Sequence, residues 1–66
     1  MPYKNIAIEN TFEAGRAVQR IISFLAGNDA GTMEVVWAGN EAVTVEYSAK
    51  NPLVMAWIES ELAPFV

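Results

Sequence analysis

Between Thr32 and Ser48, along TMEVVWAGNEAVTVEYS, apolar and polar side chains alternate. Met33, Val35, Trp37, Val43, Val45 and Tyr47 share one parity, and Thr32, Glu34, Thr44, Glu46 and Ser48 share the other. A period of two belongs to a strand with one face buried and one in water. The stretch therefore predicts a β-hairpin with strands over 32–37 and 41–48. Upstream, YKNIAIE predicts a short strand over 3–9 with Ile6 and Ile8 on one face. Asn10 and Glu13 have the spacing of a capping box, and Ala14, Val18, Ile21, Ile22 and Leu25 recur at helical intervals. That predicts a helix over 11–26, with Gly27 where a left-handed cap belongs. Asn51-Pro52 announces a second helix over 52–63, stopped by Pro64 and followed by an apolar Phe65-Val66 tail.

The order β-α-β-β-α predicts one α+β domain over 1–66, a two-layer sandwich. A right-handed crossover makes the first two strands parallel, and the third fits between them, giving a three-stranded mixed sheet of order 1-3-2. Both helices then cover the face that carries Trp37. Register narrows the turn. A loop at Gly39-Asn40-Glu41 would set Glu34 directly against Glu46, two like charges in one cross-strand pair. A loop at Ala38-Gly39-Asn40 instead pairs Glu34 with Thr44 and Thr32 with Glu46, with Asn40 in the left-handed conformation. The second is the expectation, and it places Trp37 inward with Glu34 and Glu46 apart on the outer face.

Composition changes the picture in three ways. A chain of 66 residues buries only about 60% of its unfolded surface, so its core is marginal. It has no cysteine and no histidine, which removes disulfides and the two best transition-metal ligands. Hydrophobic residues make up 53% and charged ones 18%, a balance that points to self-association, a dimer being the simplest form. The net charge of −4 argues against nucleic acid and fits a partner with a basic surface. With neither a signal-peptide pattern nor an apolar run of the ~18 residues that cross a bilayer, a soluble cytoplasmic location is expected and no membrane partner.

Without His or Cys, acid–base chemistry falls to carboxylates, Lys4, Lys50 or the tyrosines. Glu34 and Glu46 share a solvated face, which does not separate two carboxyl pKa values as a catalytic pair requires. The run Gly27-Asn28-Asp29-Ala30-Gly31 leads into a strand rather than the helix start that cradles phosphate. No cofactor and no metal is expected. The opening MPYKNIAI resembles the start of the tautomerase superfamily, whose small β-α-β members use an N-terminal proline amine as base. The resemblance covers about eight residues. It implies Pro2 as base and Arg16 or Arg20 as holder of a substrate carboxylate. Beyond those residues the chain departs from that family, because its helix follows sooner and it ends on another helix.

Two helix edges attract more attention. Arg16, Arg20 and Phe24 lie one turn apart, joining arginine and aromatic as interface hot spots do. On the second helix Leu53, Val54, Met55, Trp57, Ile58 and Leu62 cover an apolar arc wider than a surface helix needs. Glu61 falls inside that arc near Met55, Trp57 and Phe65, and with Glu59 it occupies the last turn, where the helix dipole disfavours negative charge. The leading expectation is a non-catalytic acidic module, of the size class that includes phage-encoded inhibitors, which occupies a partner protein. Its partner-facing residues are Arg16, Arg20, Phe24, Met55, Trp57, Glu59, Glu61 and Phe65, with Glu34 and Glu46 on the outer sheet face. The alternative is a homo-oligomer binding a small ligand at Trp37 or Arg16/Arg20. A tautomerase-like enzyme using Pro2 comes third.

Overall fold

In the computed structural model, which describes residues 3–66, the elements are β1 (Lys4–Glu9), α1 (Phe12–Asn28), β2 (Gly31–Ala38), β3 (Ala42–Ala49) and α2 (Pro52–Leu62). A short 3-10 turn, Ala63–Phe65, closes the chain. The sheet order is β1-β3-β2 and both hydrogen-bonded pairs are antiparallel. β1 and β2 run parallel only across the intervening β3. The strand order and element order expected from the sequence are those observed.

Local chemistry differs from expectation at both ends of α1. The N-cap is Thr11, not Asn10: its hydroxyl accepts from the Ala14 N–H at 3.1 Å. Asn10 is committed elsewhere. Its side chain donates to the Gly39 carbonyl at 2.6 Å and its N–H to the Glu41 carbonyl at 3.1 Å, tying the hairpin loop to the end of β1. At the other end the helix runs through Gly27 to Asn28, and Asp29 takes the left-handed conformation with φ 49°. Aspartate tolerates that region because its short polar side chain finds local partners, and here Lys50 Nζ lies 2.9 Å from its carboxylate. Gly31 then has φ 154°, and a Cβ there would overlap the Ser48 carbonyl of β3. α2 begins as expected, with Asn51 Oδ1 accepting from the Val54 N–H at 2.9 Å and Pro52 in the first turn.

Both helices pack on one face of the sheet. Ile8, Met33, Val45 and Tyr47 from the strands meet Ala14, Ala17, Val18, Ile21 and Leu25 of α1 and Ile58 and Leu62 of α2. Alanines at 14 and 17 let α1 approach closely, and Ile21, Leu25, Val45, Ile58 and Leu62 are fully buried.

The hairpin holds the main correction. Glu34 does pair with Glu46, and Thr32 pairs with Ser48, the register disfavoured above. The loop is residues 39–41, and Asn40 does not have a positive φ. Met33 faces Tyr47 and Val35 faces Val45, but the register then shifts between Val35 and Trp37. Val36 is the extra residue of a β-bulge, so everything beyond it changes face. Trp37 therefore lies opposite Thr44 on the outer face, 57% exposed, and not under the helices. Its indole lies across Gly39, where a Cβ would collide with the ring. Glu34 and Glu46 are direct neighbours, not spaced apart. The inner face near the bulge is thinly covered: Val35 is half exposed and borders a crevice of about 220 Å³ shared with Ile8, Val18 and Val43.

Candidate functional site

The buried stripe of α1 leaves the opposite side of that helix to solvent. There Phe12, Arg16, Arg20 and Phe24 follow one another at four-residue intervals, with Gln19 and Ser23 beside them. Residues four apart in a helix are surface neighbours, so these side chains form one strip. Phe12 is 80% exposed, and the Arg16 guanidinium sits 5.9 Å from its ring centroid. Arg20 reaches across to α2, its Nη2 lying 3.7 Å from Glu61 Oε1. Phe24 meets Trp57 of α2 at 4.8 Å between centroids and 51° between planes. The strip borders an open groove of about 890 Å³. A second hollow of about 370 Å³ continues it over Phe24, Val54, Trp57 and Leu53, the last 83% exposed.

The helices thus bring together five of the residues singled out from sequence: Arg16, Arg20, Phe24, Trp57 and Glu61. Three others stand apart. Glu59 points the other way, because two residues along a helix turn the side chain through about 200°. Its Oε2 accepts from the Tyr47 hydroxyl at 3.1 Å and lies 3.3 Å from Lys4 Nζ. Met55 is half buried against the core, and Phe65 lies with Phe12 and Glu13 along a separate groove. Glu34, Glu46 and Trp37 occupy the outer sheet face, on the far side of the molecule from the helices. Pro2 lies outside the described residues. Phe12 and Leu53 escaped the sequence reading as site residues; the signal for each was its place four residues before Arg16 and Trp57.

Electrostatics separate the two sides. Among the described residues Lys4, Lys50 and Arg20 each have a carboxylate within ion-pair distance, and Arg16 does not. Burial, then the hydrogen bond to Glu59 and its charge, push the Tyr47 hydroxyl up to about 12. Among the described residues no group of three or more carboxylates gathers where a metal ion would bind. No helix among them is long and apolar enough to cross a membrane. No protein-family model matches the chain, and no curated protein or solved structure matches it either. Fold and surface define a small α+β domain with an aromatic–arginine helix face.

Proposed function

We propose that this chain is a non-catalytic protein-binding module that occupies its partner through the outer face of α1 and α2. The observation that carries the reading is the strip itself: Phe12 and Leu53 are 80% and 83% exposed, and between them lie Arg16, Arg20, Phe24 and Trp57. Large apolar side chains left in water lower the stability of an isolated domain only slightly, yet they bring free energy to an interface when covered. Arginine and tryptophan among them are the residue types that carry most interface energy. From Phe12 to Phe24 the strip spans roughly 18 Å at 1.5 Å per residue, enough for one edge of a standard interface.

A photo-reactive residue placed at position 12, 53 or 44 in cells that produce the protein tests this. Positions 12 and 53 are expected to cross-link one and the same protein, and position 44 on the outer sheet face is expected not to. With that protein purified, Phe12→Ser and Trp57→Ala should each weaken binding at least about ten-fold, as loss of a hot spot does. Cross-linking from position 44 to the same extent, or unchanged affinity in both variants, would overturn the reading.

A further inference from the structure

On the docking reading above, the arrangement of the strip names its occupant. We infer that the α1/α2 face receives an acidic amphipathic helix of a partner protein, with two carboxylates one turn apart between apolar anchors. Phe12, Arg16, Arg20 and Phe24 form a single ridge of residues four apart, which is the ridge that interdigitates with its counterpart in the commonest class of helix packing. Aromatics stand at both ends and guanidiniums at the centre. The complement on a second helix is an apolar residue, two carboxylates and an apolar residue at the same interval.

Charge decides between this occupant and a second copy. The order Phe-Arg-Arg-Phe reads the same from either end. An antiparallel pair of α1 helices would therefore lay Phe12 against Phe24 and Arg16 against Arg20 on both sides of a two-fold axis. That seam would gather four guanidiniums, with Glu61 of each copy beside its own Arg20. Like charges in one seam repel, and covering them would deepen the cost. A helix that supplies carboxylates removes it instead. Among the described residues no carboxylate lies within ion-pair distance of Arg16, and its guanidinium is held beside Phe12, so a carboxylate there gains a charge-assisted bond at an apolar edge. The overall net charge of −4 favours a basic partner surface, but the charged residues lining this groove are Arg16 and Arg20, and contact is decided locally.

The probe is a set of three helical peptides. One carries leucine, glutamate, glutamate and leucine at successive four-residue intervals; one has lysine for both glutamates; one has serine for both leucines. Binding is read from Trp57 fluorescence in a Trp37→Phe background and from amide chemical shifts. The glutamate peptide is expected to bind with shifts along α1 and α2. Arg16→Glu should weaken it at least ten-fold and favour the lysine peptide, and Arg16→Gln should weaken it without that reversal. Equal binding of lysine and glutamate peptides, or shifts confined to the sheet, would refute the inference. So would concentration-dependent dimerisation that Phe12→Ser abolishes, since a second copy would then be the occupant. If no peptide binds while cross-linking from position 12 still succeeds, the acidic helix is wrong and the docking face stands. If that cross-linking fails as well, both fall.

Discussion

At the scale of single residues the clearest consequence lies away from the docking face, at Tyr47 and Glu59. Tyr47 is almost wholly buried and donates to a carboxylate that also faces Lys4. Its hydroxyl ionises at about 12, against about 10 in an unfolded chain. Between those values the folded state binds the proton more tightly than the unfolded state. The stability that Tyr47 contributes is therefore complete below pH ~10 and is lost as pH rises toward 12, by about 3 kcal/mol at most. Urea unfolding at successive pH values should show that decline in the native chain and a shallower one in Tyr47→Phe. Equal slopes would mean that the phenol does not govern it. The same scale shows what could be read from sequence in the site. Arg16, Arg20 and Phe24 were legible because their spacing alone puts them on one helix edge. The contact of Glu61 with Arg20 was not, since it depends on how two helices lie against each other. The placement of Glu59 was hidden for the same reason: its partners Tyr47 and Lys4 are distant in sequence and meet it only through the sheet.

At the scale of elements, the hairpin shows why periodicity succeeds for strands and fails for bulges. Alternation located both strands and their buried parity up to Val35. It could not show that Val36 is extra, because a bulge is a backbone event and valine suits either a paired or a bulged position. The turn was misjudged for an energetic reason. A like-charged cross-strand pair costs on the order of 1 kcal/mol or less in water, whereas aligning Met33 with Tyr47 and Val35 with Val45 sets much of the core. So small a repulsion does not decide the register. The bulge also has a second consequence. β2 is an edge strand of eight residues with Val35, Val36 and Trp37 each about half exposed, and it contains neither lysine nor proline. Such an edge invites pairing with another chain, and a bulge is one device that spoils the template. Deleting Val36 leaves Val35 opposite Val45 and Trp37 opposite Thr44, so the ladder becomes regular without moving any other side chain to a new face. The deletion is expected to preserve the fold and to promote association through β2. Sedimentation velocity should show dimers or larger species where the native chain shows fewer. An unfolded deletion variant, or one no more associated than the native chain, would assign the bulge another role.

At the scale of the whole molecule, apolar side chains do two separate jobs. One set, from Ile8 to Leu62, is buried between sheet and helices; the other, Phe12, Phe24 and Leu53, lies along the helix face with the arginines, and half-buried Trp57 touches both. The high hydrophobic fraction that pointed to self-association is thus divided between a small core and an exposed strip. A domain of 66 residues has roughly 3–10 kcal/mol of stability to lose. Ile58 is fully buried, so Ile58→Ala should cost about 2–5 kcal/mol and leave much of the chain unfolded. Leu53 is in the same helix and 83% exposed, so Leu53→Ser should change stability by no more than about 0.5 kcal/mol while weakening the docked partner. Urea denaturation of the two variants, read beside their cross-linking, separates the roles. A loss of about 2 kcal/mol or more in Leu53→Ser would mean that the exposed leucine serves the fold. The helix face would then lose its standing as a surface kept apolar for a partner, since its exposure would no longer be free of structural use.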